Sequence, residues 1–183
     1  MKKTVWTFGL ISGAIISILL LVTIPFQDEH HSLLVGYSTM VLAFLLIYFG
    51  VRSYRDNVRG GSVRFGRAFA VGALIAVISS VCYVATWEVM YFKFRPDFLS
   101  KYQAHALEEA RAGGASEDVI AKQKAEMEKF GEMYKNPVVN SAITFVEPLP
   151  VGLVIALVSA GILSRARKRD AGGMMAGARG VTS

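Results

Sequence analysis

The chain has 183 residues, 53% of them hydrophobic and 19% charged, with a formal net charge of +6 and a mean hydropathy of +0.42. That balance suits one compact membrane domain with small extramembrane pieces and excludes several separately folded soluble units. A single cysteine, Cys82, excludes an internal disulfide framework.

Lys2 and Lys3 open the chain, and an apolar run over residues 5–26 follows, long enough to cross hydrocarbon as a helix. A basic pair before an apolar run also begins a signal peptide. This run is longer than a signal core, however, and Pro25-Phe26-Gln27-Asp28 follows it in place of a small-residue cleavage site, so a retained anchor is expected. A short turn over 27–32 carries Asp28, Glu29, His30 and His31. The second apolar run, 33–51, leads into a basic loop, Arg52-Ser53-Tyr54-Arg55-Asp56-Asn57-Val58-Arg59, punctuated by Gly60-Gly61. A third run covers 69–92 and holds Cys82, a small hydrophobe in packing terms.

Residues 93–137 form the largest polar stretch. Pro96 opens it, Gly113-Gly114 divide it and Pro137 closes it. Phe98, Tyr102 and Ala106 recur at helical spacing in the first half; Ile120, Met127, Phe130 and Tyr134 do so in the second, with Ser116 as N-cap and Glu117 and Asp118 in the acidic first turn. A helical hairpin is predicted, resting on the bilayer surface or on the mouth of the bundle. Alternating Lys and Glu between 122 and 132 mark a solvated face. The fourth apolar run is 138–163, and the tail from 170 to 183 has too few bulky apolar residues to pack, so disorder is expected there.

Irregular backbone facing lipid leaves amides unpaired, and the apolar runs lack the alternation of barrel strands. The predicted fold class is therefore all-α: an integral membrane four-helix bundle over residues 1–169, with the helical hairpin in the extracytoplasmic loop between the third and fourth helices. Twelve of the 20 Lys and Arg fall on the side shared by Lys2, Arg59 and Arg179, against Asp56 and Asp170 alone. The opposite side has eight basic residues against ten acids. Cytoplasmic termini are expected from that asymmetry. Topology alone accounts for the basic isoelectric point, so nucleic acid is not among the expected partners; the bilayer is, together with a membrane-protein partner or a second copy.

Two carboxylates, Glu88 and Glu147, lie inside predicted spans, where acids are costly and usually face a bundle interior or a wet cavity. They are candidates for a shared intramembrane polar site with Tyr83, Thr86 and Pro148 at similar depth. The bland alternative gives each its own hydrogen bond to Tyr83, Thr86, Tyr91, Ser141 or Thr144. Pro148 and Pro150 remove backbone donors that the carbonyls of Thr144 and Val146 require, so the fourth helix should kink beside Glu147. Freed carbonyls beside an acid serve cation sites in broken transporter helices, although those normally come as paired repeats and no second copy exists here. Gly9, Gly13 and Ser17, then Ala68, Gly72, Ala76 and Ser80, then Gly152, Ala156 and Ala160 make small-residue stripes, best used for packing within the chain.

Asp28, Glu29, His30, His31 and His105 offer metal donors, yet adjacent histidines cannot easily hold one ion, and no metal or other cofactor is expected. No phosphate loop or serine–histidine dyad is present, so no enzyme is expected either.

Several segments together resemble a bacterial inner-membrane family defined only as domain of unknown function 4199. They are the opening Lys2-Lys3-Thr4-Val5-Trp6-Thr7-Phe8-Gly9-Leu10-Ile11-Ser12-Gly13, then Gly36-Tyr37, Gly50-Val51-Arg52-Ser53-Tyr54-Arg55-Asp56, Gly60-Gly61 and Phe65-Gly66-Arg67-Ala68-Phe69. The resemblance spans residues 2–168 and implies a four-helix membrane protein. It supplies no activity, substrate or catalytic residue. The expected function is a non-enzymatic scaffold or accessory subunit, and the alternative is a small proton- or cation-coupled carrier built on Glu88 and Glu147.

Overall fold

The computed structural model describes residues 1–23 and 33–179, with side chains described to Ser164 except at 33–35. The turn predicted at 27–32, with Asp28, Glu29, His30 and His31, lies outside the described residues.

Seven α-helices follow one another: α1 (Lys2–Thr23), α2 (Leu33–Val58), α3 (Phe65–Val89), α4 (Phe98–Ala112), α5 (Glu117–Tyr134), α6 (Pro137–Val146) and α7 (Pro148–Arg179), with no β-sheet among the described residues. Four segments are long and apolar enough to span: Lys2–Thr23, Gly36–Val58, Phe65–Phe94 and Pro137–Ser164. The fourth span is built from α6 and the first part of α7. The last turn of the third is a π-helical turn, Met90–Phe94, ending where Arg95 leaves helical geometry at φ −135°. Helix α7 runs to Arg179, and residues 180–183 lie outside the described residues.

Helix α3 is the centre of the bundle. It packs against α1 on one side and α7 on the other, α2 closes the square by touching both α1 and α7, and α2 also meets α3 across the diagonal. The small-residue stripes set these approaches. A Cβ on Gly72 would sit 2.8 Å from Ala156 Cβ, and one on Gly152 would sit 2.8 Å from Ala76 Cβ, so α3 and α7 touch almost backbone to backbone. On the other side Gly9 faces Ile78 and Gly13 faces Cys82. With lipid as apolar as leucine, such close van der Waals contact and a few buried hydrogen bonds hold helices together. Ser12 Oγ donates to the Ala43 carbonyl at 2.9 Å, joining α1 to α2, and Ser79 Oγ donates to the Gly9 carbonyl at 3.1 Å, joining α3 to α1.

Outside this core the bundle is apolar. Trp6 is 58% exposed, Leu42 60% and Val154 61%, in company with many others along all four spans. A coat of that extent is intolerable in water and natural against acyl chains. The α2–α3 turn is tight because Gly60 and Gly61 adopt positive φ (63° and 85°), a region that side chains with a Cβ disfavour.

Candidate functional site

Polar side chains gather at one end of the bundle, where α3, α6 and the α4–α5 hairpin meet. The hairpin turns at Gly113-Gly114, with Gly114 at φ 79°, and Gln103 Nε2 ties its arms together by donating to the Met127 carbonyl at 2.7 Å. Its open face is a shallow cavity of about 390 Å³ lined by Leu99, Tyr102, Gln103, Gln123, Met127 and Phe130. In the first turn of α4, Lys101 Nζ lies 2.6 Å from Asp97 and holds that carboxyl below its ordinary range.

The hairpin is fixed to the bundle through one buried joint. Trp87 Nε1 donates to Tyr134 Oη at 3.0 Å, Tyr134 Oη lies 3.2 Å from Thr144 Oγ1, and Thr144 Oγ1 donates to Asn140 Oδ1 at 3.3 Å. Because the one hydroxyl hydrogen of Thr144 goes to Asn140, Tyr134 must be the donor to Thr144. Asn140 Nδ2 then donates to the Tyr134 carbonyl at 3.3 Å and closes the loop. Asn140 is fully buried, Thr144, Tyr134 and Trp87 nearly so, and burial pushes the Tyr134 phenol above its ordinary pKa, which keeps its proton in place. Aromatic edges seal the joint: Trp87 meets Phe98 at 5.1 Å between centroids and Tyr91 meets Tyr134 at 5.3 Å, both edge-on.

Asn136 prepares this geometry. Its side chain accepts from the Val138 amide at 2.9 Å as N-cap of α6, and Pro137 occupies the first turn, where a missing donor costs nothing. Sequence reasoning places Tyr134 and Thr144 on helices but assigns no role to Asn140 or Trp87. The available signal was an uncharged amide inside an apolar run, since a buried Asn in hydrocarbon demands partners.

The two intramembrane glutamates take separate partners. Ser141 Oγ donates to Glu88 Oε1 at 2.9 Å, and Tyr83 Oη donates to Glu147 Oε2 at 3.3 Å. Both bonds cross from α3 to the fourth span, but on different levels. Tyr83 precedes Glu88 by about 7.5 Å of helix rise, and Glu147 lies correspondingly deeper than Ser141. The partners of Glu88 and Glu147 on the facing helix are therefore more than a helical turn apart. Thr86 belongs to another seam: its hydroxyl donates to the Cys82 carbonyl at 2.9 Å and lies 2.8 Å from Ser17 Oγ on α1. A threonine on α3 had only helical phase to place it, and the phase turns it toward α1. Pro148 is fully buried and the helix breaks at Glu147, as the missing donors of Pro148 and Pro150 require. Glu147 itself keeps helical angles (φ −64°, ψ −57°) and is exposed despite its bond to Tyr83.

Among the described residues no three His, Cys, Asp or Glu side chains are grouped to hold a metal ion. His105 lies 3.4 Å from Glu109 on the exposed side of α4.

Four spanning helices wrapped in an apolar coat, with a helical cap on one end, define a multi-span α-helical membrane protein. Residues 7–165 match the bacterial membrane-protein family described as protein of unknown function (DUF4199), and the chain belongs to that family. No curated protein and no solved structure matches it.

Proposed function

We propose that this protein is a non-enzymatic scaffold or accessory subunit of the bacterial inner membrane, with both termini in the cytoplasm and the α4–α5 hairpin presented outside as its docking element. One observation carries the reading. Three buried polar groups, Asn140, Thr144 and Tyr134, are consumed in mounting the hairpin on the bundle, while the hairpin's far side keeps a shallow open cavity. A chain that fixes a surface this firmly gains rigidity at that surface, and rigidity lowers the entropic cost of binding.

Photocrosslinkers at Tyr102 and Phe130 in native membranes are expected to capture one defined protein in stoichiometric yield. Recovery of lipid and self-adducts alone would overturn the reading. The topology has its own check. With Cys82 replaced by serine, a cysteine at Glu126 is expected to react with membrane-impermeant maleimide in intact cells, and one at Ser62 only after permeabilisation; the reverse pattern refutes the assigned sidedness.

A second reading, a proton- or cation-coupled carrier, is favoured by the helix break beside Glu147. Purified protein in vesicles is expected to pass neither protons nor monovalent cations above the empty-vesicle rate. Flux that disappears in Glu147→Gln or Glu88→Gln would instead make the carrier the better account.

A further inference from the structure

Glu147 lies at the edge of its helix's buried face, its carboxyl reaching Tyr83 of α3 while the residue stays exposed. It is about ten residues, or roughly 15 Å of rise, below Pro137 at the outer start of the span, so its carboxyl is within hydrocarbon. Tyr83, its partner, is at comparable depth below Phe94 on α3. The side chain is exposed, and so are the residues that share its face one, two and three turns further along, Pro150, Val154, Leu157 and Val158. Gly161, two heptads from Glu147, has nothing within 4 Å of where its Cβ would be. Glu147, Val154 and Gly161 at seven-residue intervals, with Pro150 and Leu157 between them, form the seam pattern that one helix offers another. Among the described residues, Tyr83 reaches Glu147 but no other helix covers Val154, Leu157 or Gly161.

Tyr83 satisfies only one of the acceptor positions of the carboxylate, over a long bond of 3.3 Å. No cation of this chain can supply the rest. Neither Lys nor Arg occurs between Thr4 and Val51, between Ala68 and Phe92, or between Asn136 and Ser164. A second copy is a poor occupant as well. Copies inserted with the same polarity meet about an axis along the membrane normal, which sets Glu147 against Glu147 at equal depth, and like charges at short range oppose one another.

We infer that the Glu147–Val154–Gly161 seam is a lateral docking site for a transmembrane helix of another protein, one that carries a lysine or arginine at the depth of Glu147. The charge of the seam selects the partner, Gly161 admits close backbone approach, and Tyr83 aims the carboxylate. This inference rests on the scaffold reading and deepens it by assigning a second contact, inside the membrane, to the same partner class.

The test uses full-length protein in liposomes and two leucine-based transmembrane peptides that differ in one residue, a lysine or a leucine placed at the depth of Glu147. Energy transfer from labelled protein to labelled peptide is expected to give at least a tenfold preference for the lysine peptide. In Glu147→Gln the preference falls below about threefold. In Gly161→Leu, a substitution into open space, affinity for the lysine peptide falls at least fivefold with no change in thermal unfolding. Glu147→Lys is expected to invert the selection toward a peptide bearing glutamate. Equal binding of the two peptides overturns the inference, and so does a lysine preference that survives Glu147→Gln. Self-association of the protein that Gly161→Leu abolishes would assign the seam to a second copy instead. Because hairpin crosslinking is scored independently, loss of this site alone leaves the scaffold reading standing, whereas failure of both removes it.

Discussion

Replacing Gly72 with leucine is expected to separate α3 from α7 and to produce the largest loss of bundle stability available to a single substitution in the spans. A Cβ at that position already lies 2.8 Å from Ala156 Cβ, 3.2 Å from Ala156 Cα and 3.1 Å from Ile47 Cγ2, so α2, α3 and α7 all converge on the missing side chain. Backbone cannot retreat as a flexible side chain does. Gly72→Ala alone is expected to cost on the order of 1–3 kcal/mol, the usual range for forcing an extra carbon into a packed core, and leucine more. The measurement is reversible unfolding in bicelles, with Gly66→Ala as control. Gly66 has nothing within 4 Å, so alanine there is expected to be neutral or to stabilise the helix by about 0.5–1 kcal/mol through the entropy of the unfolded chain. The double variant Gly72→Ala with Ala156→Gly moves the methyl group from one helix to the other and is expected to recover at least half of the single loss, because contacting sites are not additive. Equal stability of Gly72→Leu and wild type would mean that α3 and α7 do not pack as described.

The same glycine explains why so much of the architecture was legible. In lipid the apolar runs mark the spans, because only helices satisfy their backbones there. The small residues mark the faces, because only they admit backbone contact. Gly72, Ala76, Gly152 and Ala156 carry that signal at fixed spacing, and Pro148 with Pro150 announces the break at Glu147. Pairings between helices are another matter. Trp87 and Tyr134 are 47 residues apart, and nothing local in either segment says that the indole will find that phenol. The stagger of Glu88 and Glu147 was equally hidden, since depth estimated by counting along each helix misses the π-helical turn at Met90–Phe94 and the break before Pro148. The heptad from Glu147 to Gly161 could be read in the sequence, but whether another helix covers it depends on where α2 and α3 sit. An exposed acid is meaningful only after the rest of the bundle has been placed.

Removing the joint under the hairpin is expected to free α4 and α5 without disturbing the spans. Asn140→Leu keeps the volume apolar but takes the donor from the buried Tyr134 carbonyl and the acceptor from the buried Thr144 hydroxyl hydrogen. An unsatisfied buried group costs about 1–3 kcal/mol, so the two together shift docking by enough to raise the open fraction on the order of thirtyfold or more. Tyr134→Ala is expected to act still more strongly, about 3–5 kcal/mol, since it deletes an aromatic ring packed against Tyr91 and Phe130 along with its hydroxyl. Tyr134→Phe separates these contributions: the rings remain stacked, and only the bonds from Trp87 and to Thr144 are lost. The readout is tryptic cleavage at Lys122, Lys124 and Lys129 from the outside of proteoliposomes, which follows the population of the undocked hairpin when opening is fast relative to cutting. Wild type is expected to be cut slowest, then Tyr134→Phe, with Asn140→Leu and Tyr134→Ala fastest, while the α1–α3 and α3–α7 seams still hold the spans together. Cleavage rates that ignore Asn140 would mean that the hairpin is held by its aromatic contacts alone, and the buried amide would then need a different reason to exist inside a membrane span.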